Sequence, residues 1–259
     1  VYQIDLSGKV GLITGVANKR SIAWGIAQLL HQAGAKLAFT YQDERLKPKV
    51  EELVSEMDEA LLLPCDVTVD EQLEGVFQEI GEKFGRLDFL VHSVAFAPRE
   101  EFDAQFYNTS RGGFRTALEV SAYSLIPMAK LALPWMERAG GGSIVAMTYL
   151  AAERAVPRYN VMGTAKAALE HIIRQLAYEL GERNIRVNGI SAGPLPTLSA
   201  RGVPGFTDFL KVYPQRAPLK RNITHEEVAK AALFLLSDMA SGITGEILYV
   251  DAGYHITAF

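Results

Sequence analysis

The chain has 259 residues, 49% hydrophobic and 22% charged, with 22 glycines and 11 prolines, which excludes disordered, collagenous and low-complexity classes. A formal charge of −4 weighs against bulk binding to nucleic acid or an anionic membrane. The one cysteine, Cys65, excludes an internal disulfide and a thiolate metal cluster.

In chain order, a strand expected at 10–14 leads to a helix at 21–32, and a strand at 36–41 to a helix at 43–56. The pattern repeats as 60–64 with 70–84, 87–91 with 116–138, 143–147 with 157–180 and 186–190 with 225–236, before a last strand at 246–250. Near-continuous apolar strands alternating with helices predict a doubly wound, Rossmann-type α/β fold. The expected architecture is one domain over 1–259, a seven-stranded parallel sheet with helices on both faces. Lys130 and Pro134 interrupt the longest apolar stretch, so no membrane span is expected. Residues 1–5 lack the basic and apolar regions of a signal peptide, and a cytoplasmic protein is expected. Two segments, 96–115 and 193–220, break the alternation at the carboxyl ends of strands, where open α/β sheets bind ligands.

The first strand runs into Thr14-Gly15 and a turn that ends at Gly25 inside a helix. Small residues there let backbone N–H groups approach a pyrophosphate at a helix N-terminus. Asn18 to Ser21 occupy positions often held by glycine; Ser21 can cap the helix, offer its hydroxyl to a phosphate, or both. Asp66, in Asp66-Val67 after the third strand, suits an adenine amine or a turn, and Ser93-Val94-Ala95 leaves room for a ribose. At the tip of the second strand Gln42 suits ribose hydroxyls, whereas Arg45 suits a 2′-phosphate. The balance favours NADH over NADPH.

Tyr149 follows the fifth strand, Tyr159 comes ten residues later, and Lys166 seven after that. With the helix expected to start at Pro157, seven residues turn about 700°, within roughly 20° of two full turns. Tyr159 and Lys166 would then share a face, and a nearby ammonium favours phenolate character. The same pair also suits an ordinary amphipathic helix edge.

These stretches resemble the short-chain dehydrogenase/reductase superfamily over roughly residues 6–254, and within it the divergent branch of enoyl-[acyl-carrier-protein] reductases of bacterial fatty acid synthesis. The resemblance is carried by Thr14-Gly15 to Gly25, Asp66-Val67, Ser93 to Pro98, Tyr149, Ala152-Glu153-Arg154, Tyr159 to Lys166, Arg186-Val187-Asn188 and Ser191 to Pro194. Ordinary members separate Tyr and Lys by four residues and place a Ser seventeen before the Lys; here Tyr149 holds that position.

The resemblance implies reduction of the trans-2 double bond of an enoyl thioester by hydride from NADH. Tyr159, with a ribose hydroxyl, would stabilise the enolate oxygen and relay a proton. Lys166 would hold the ribose, and Tyr149 would shape the acyl pocket or meet the thioester. Carried over by position, cofactor contacts are Gly15, Ser21, Ile22, Gln42, Asp66, Val67, Val94, Lys166, Leu195, Pro196, Thr197, Leu198 and Ser199, and Ala97 would touch substrate. Pro196 departs from the basic residue common there and should stiffen the substrate loop at 193–220. The family implies an acyl-carrier-protein partner and a homotetramer, to which residues 245–259 would contribute. Residues 201–221 carry a local charge of +4, from Arg201, Lys211, Arg216, Lys220 and Arg221 against Asp208, and would dock an acidic carrier. A carbonyl reductase of the same superfamily and a non-catalytic dinucleotide sensor are the competing readings. The five histidines show no ligand spacing, and Cys65, Trp24 and Trp135 are expected to pack.

Overall fold

All seven expected strands form, each within two residues of its expected ends. They are β1 (Val10–Ile13), β2 (Lys36–Tyr41), β3 (Leu61–Pro64), β4 (Phe89–His92), β5 (Gly142–Thr148), β6 (Ile185–Ala192) and β7 (Ile247–Val250). The computed structural model describes residues 3–258; Val1, Tyr2 and Phe259, at the ends of the segments read for a leader and a subunit interface, lie outside the described residues.

The strands build one parallel sheet in the order β3-β2-β1-β4-β5-β6-β7. Successive side chains point to opposite faces, so strands covered on both sides need apolar residues at every position. Leu12, Leu90 and Ile144 enter one core with Phe77, Leu125, Leu169 and Ile173. Their neighbours Ile13, Val91 and Val145 enter the other, with Trp24, Ile26, Leu30 and Leu235. Cys65 is buried in the first of these cores, as expected of a small hydrophobe.

Strand order reverses between β1 and β4, and that reversal opens a crevice at the carboxyl edge of the sheet. The register keeps the edge level: Ile13 pairs with Val91, His92 with Ala146, and Thr148 with Ser191.

The helices are α1 (Ile22–Gln32), α2 (Lys47–Val54), α3 (Asp70–Phe84), α4 (Glu100–Asp103), α5 (Arg111–Leu118), α6 (Leu125–Arg138), α7 (Val161–Leu180), α8 (Leu198–Arg201), α9 (Phe206–Arg216) and α10 (His225–Leu236). Three depart from expectation for local reasons. The helix expected at 43–56 starts at Lys47, because the Asp43 carboxylate accepts from the N–H groups of Arg45 and Leu46 and holds a turn instead. The helix expected at 116–138 is interrupted by a π-wound segment, Glu119–Tyr123. There the Ser124 N–H reaches back to Glu119 O, while the Ser124 hydroxyl donates to Val120 O at 2.7 Å. The helix expected from Pro157 begins four residues later, at Val161. The segments read as loops hold α4 and the start of α5 in one case, and α8 and α9 in the other. Among the described residues, no helix is long and apolar enough to cross a membrane.

Candidate active site

The crevice is built from backbone. Gly15 has φ +86°, and a Cβ there would lie 2.0 Å from the carbonyl oxygen of Ser93. Only glycine permits that approach of β1's end to β4's end. Thr14, buried beside it, donates its hydroxyl to Val91 O at 3.0 Å and accepts from Ser93 N–H at 3.3 Å. Sequence reasoning named Thr14 but gave it no role of its own; the signal for one was a polar residue closing an apolar strand.

Ser21 immediately precedes α1 but does not cap it with its side chain. Its hydroxyl oxygen accepts from Ala17 N–H at 3.0 Å and Asn18 N–H at 3.2 Å, turning back to fasten the loop. The capping half of the expectation is therefore corrected: the hydroxyl is spent on the loop and not on the helix. Ile22 opens the helix.

Gln42 is exposed at the tip of β2. Arg45 is exposed too, but its guanidinium is held by Asp43 Oδ2 at 2.7 and 3.2 Å. That hydrogen bonding holds the Asp43 carboxyl below its ordinary range. Asp66 uses Oδ1 to accept from the N–H and hydroxyl of Thr68, so it is a turn residue whatever else it does. Val67 and Val94 are half-buried after β3 and β4.

The chemistry-bearing side chains sit beyond β4, β5 and β6. Tyr149 directly follows β5. Tyr159 lies in a turn, not on α7: Arg158 before it has φ +64° and Asn160 after it φ +45°. The shared helix face expected for Tyr159 and Lys166 does not exist, because left-handed backbone at 158 and 160 cannot continue a helix. The Tyr159 ring instead packs edge-on between Tyr149 (centroids 5.0 Å apart) and Phe102 (6.5 Å). Ala97 is buried in the small cluster of Ala117, Val161, Met162 and Ala165 that this ring covers.

Burial pushes the Tyr159 phenol above its ordinary value, and burial together with Tyr159 does the same to Tyr149. The expected phenolate character is thus corrected. Lys166 is buried one helical stretch away with its Nζ donating to Met147 O at 2.8 Å, and the phenol keeps its proton. Burial lowers the Lys166 ammonium to about 8, against a raising pull from Glu170.

Two buried groups that the sequence pattern did not single out feel the charge of this lysine or act on it. Glu170, one turn beyond it, accepts from Thr148 Oγ1 at 2.9 Å and faces Arg174 at 3.6 Å. The i to i+4 spacing was the available signal. His92, at the end of β4, has Nε2 2.8 Å from the Ser124 hydroxyl. Since that hydroxyl donates to Val120, the ring proton is assigned to Nε2. Burial, and then the Lys166 charge, lower His92 to about 3, so it is neutral at pH 7.

After β6, Leu195 is buried and Pro196 exposed. Thr197 caps α8, its hydroxyl accepting from Ala200 N–H at 3.1 Å, while Leu198 and Ser199 form the start of that helix. The basic residues expected to act together divide into two groups. Lys211 pairs with Asp208 at 2.9 Å and Arg221 with Glu227 at 2.6 Å. Among the described residues, Arg201, Arg216 and Lys220 are exposed with no carboxylate within salt-bridge reach. No group of three His, Cys, Asp or Glu side chains among the described residues is placed to hold a metal ion.

A family profile described as Enoyl-(Acyl carrier protein) reductase matches residues 15–255. An enoyl-[acyl-carrier-protein] reductase [NADH] of a Nostoc species is 54% identical over 256 residues, covering 98% of each chain. An enoyl-[acyl-carrier-protein] reductase [NADPH] of Staphylococcus aureus is 50% identical, covering 97% of this chain and 98% of that one. The crystal structure of the Bacillus cereus enoyl-acyl carrier protein reductase with NADP+ and indole naphthyridinone superposes with a TM-score of 0.95 at 50% identity, covering 98% of this chain and 99% of that one.

Proposed function

We propose a mechanism for this chain, which belongs to the enoyl-(acyl carrier protein) reductase family and reduces the trans-2 double bond of an enoyl thioester carried on acyl carrier protein. The observation that carries the mechanism is the Tyr159 turn, packed against Tyr149 on the sheet edge that also holds the β1–β4 crevice.

The residues at the crevice fit a nicotinamide dinucleotide. The approach of Gly15 to Ser93, which a Cβ would block, leaves the start of α1 beside the crevice free of a side chain at this position. Gly15, Ser21 and Ile22 would hold the pyrophosphate, Gln42 the adenosine ribose, and Asp66, Val67 and Val94 the adenine end. Lys166, with two ammonium donors beyond the one given to Met147, would hold the nicotinamide ribose. Leu195, Pro196, Thr197, Leu198 and Ser199 would close over the other end as part of a substrate loop at 193–220. When bound, the reduced nicotinamide supplies a hydride to the β-carbon of the substrate.

As the β-carbon is reduced, the Cα=Cβ pair would shift into a bond between the α-carbon and the carbonyl carbon and the carbonyl pair onto the thioester oxygen, giving an enolate whose α-carbon then takes up a proton. The Tyr159 phenol, kept protonated by burial, donates a hydrogen bond to this oxygen and is the nearby source of a proton. Tyr149 and Ala97 would border the acyl group, with the Tyr149 ring packed edge-on against that of Tyr159. Lys166, positively charged below about pH 8, keeps the local field favourable to developing negative charge.

NADH is the preferred dinucleotide on this reading, because Arg45, the side chain read as suited to a 2′-phosphate at the β2 tip, is already bound by Asp43. The chain would assemble as a homotetramer. Support comes from β7, an edge strand whose Leu248, Tyr249 and Val250 are only half-buried.

The test is cofactor oxidation with crotonyl thioester and acetoacetyl thioester in parallel, each with NADH and NADPH. Rapid turnover of the crotonyl substrate with NADH is expected. Preference for the acetoacetyl substrate would overturn the mechanism, and preference for NADPH would overturn the role given to the Asp43–Arg45 pair.

A further inference from the structure

The residue after Tyr159 holds a backbone conformation that its type resists. Asn160 has φ +45° and ψ −125°, close to the first central position of a type II′ turn, where glycine is the usual occupant. With Arg158 at φ +64°, the reactive tyrosine is flanked on both sides by non-glycine residues with positive φ. Such conformations persist only where surrounding contacts fix them.

Those contacts come from α4 and its end. The Asn160 side-chain amide donates to Glu101 O and to Ala104 O, each at 2.9 Å. Glu101 lies within this short helix and Ala104 closes it. The same helix carries Phe102, whose ring abuts the Tyr159 ring. On its far side α4 is fixed from within, since the buried Glu101 carboxylate accepts from the N–H of Ser110 at 3.2 Å and its hydroxyl at 2.5 Å. The other flank of the turn is set by Gly163, where a Cβ would stand 2.9 Å from Ala151 O, just past Tyr149.

We propose that Asn160 is a positioning residue: its amide clamps α4 to the catalytic turn, and the clamp fixes where the Tyr159 hydroxyl points. This rests on the assignment of Tyr159 as the oxyanion donor. An asparagine amide can satisfy two carbonyls at once, which glycine, the easier residue for this backbone, cannot. The strain is retained where the two hydrogen bonds are needed. Because misplacing a reacting group by about 1 Å can cost about 10²-fold, a modest drift of the turn is enough to matter.

Asn160→Gly separates the two properties. It relieves the backbone strain and removes the clamp, so the melting temperature should hold or rise while kcat falls about tenfold. Dissociation of NADH, measured by calorimetry, should be unchanged, and KM for the enoyl thioester should shift less than kcat. Asn160→Asp, which keeps the size but has no donor for the two carbonyls, should lose kcat to a similar extent. Tyr159→Phe alone tests the underlying assignment, and the double variant tests the coupling. If Asn160 acts through Tyr159, Asn160→Gly should cost under about twofold in the Tyr159→Phe background. Wild-type kcat in Asn160→Gly, or full additivity with Tyr159→Phe, would overturn the clamp and leave Tyr159 in place. Wild-type kcat in Tyr159→Phe would overturn the assignment itself.

Discussion

The two halves of the site are built in different ways. The crevice between β1 and β4 is made of backbone on regular elements, with Gly15 pressed against Ser93 and Thr14 bridging the two strand ends. The half proposed for catalysis hangs the Tyr159 hydroxyl on irregular backbone, a turn with two left-handed non-glycine residues next to an interrupted helix. Binding a flat, charged dinucleotide asks for close approach and fixed N–H groups, which strand ends supply. Aiming one hydroxyl at an oxygen that becomes charged only during reaction asks for a side chain locked by its neighbours.

One pair of variants sharpens this contrast most. Tyr159→Phe should slow enoyl reduction by roughly 10²–10³ with the melting temperature and NADH affinity unchanged. Gly15→Ala should show the reverse pattern. Its methyl meets Ser93 O at 2.0 Å on a backbone at φ +86°, so either strand end must shift. A stability loss of about 2–4 kcal/mol and much weakened NADH binding are expected, by denaturant titration and calorimetry. Should Tyr159→Phe weaken NADH binding as much as Gly15→Ala does, the two halves do not divide the work in this way.

What the sequence made legible follows the same line. The sheet and most helices were readable because the central strands are buried on both faces and the long helices have plain apolar stripes, signals that need no tertiary knowledge. Gly15 was readable because a glycine that ends an apolar strand marks a positive φ or a close backbone approach, and here it marks both. The turn at 157–160 was not. Pro157 and the helix-compatible residues after it favour an earlier helix start, and it is the remote carbonyls of Glu101 and Ala104 that hold Asn160 out of the helix. The π-wound segment at Glu119–Tyr123 was hidden for the same reason, since Ser121 and Ser124 look like ordinary helix polar residues until Phe96 and His92 are placed beside them. The spacing of Tyr159 and Lys166 left an ordinary helix edge equally open, and their roles came only from the family resemblance; the helical geometry expected to join them is not the one the chain adopts.

On the roles proposed for it, Lys166 would join the two halves, and pH is the means to expose its share in each. Its ammonium, lowered to about 8 by burial, is lost as pH rises through that value. If the charge holds the ribose, NADH binding should weaken several-fold, up to about tenfold, between pH 7 and about 9, because only about a tenth of the protein then carries the proton. Folding stability should respond with the opposite sign. Between about 8 and the ordinary lysine value near about 10.4 the unfolded chain holds the proton and the folded chain does not, so this group's contribution to stability rises with pH. Lys166→Ala should flatten both responses and weaken NADH binding at pH 7. Unchanged affinity in that variant would remove Lys166 from the cofactor half.

The smallest effect concerns the rim. If the carrier is acidic, as the family resemblance implies, two net-negative proteins associate only where local charge offsets the mean field. The +4 segment at 201–221 is not uniform, since Lys211 and Arg221 already face carboxylates whereas the exposed Arg201, Arg216 and Lys220, the last donating to Gln215 O, have none among the described residues. The unpaired group should therefore carry the docking. Reversing Arg201 and Lys220 to Glu should raise KM for the carrier-bound substrate several-fold at low ionic strength, and the effect should fade as the Debye length shortens toward about 8 Å at physiological salt. Reversing Lys211 should do less, because its charge is already offset by Asp208. The KM for the same acyl group on coenzyme A should move little in either variant, since the smaller carrier presents no extended acidic face. Equal changes for both carriers would mean that these side chains shape the mouth of the acyl pocket, and the rim would then belong to the catalytic half of the molecule.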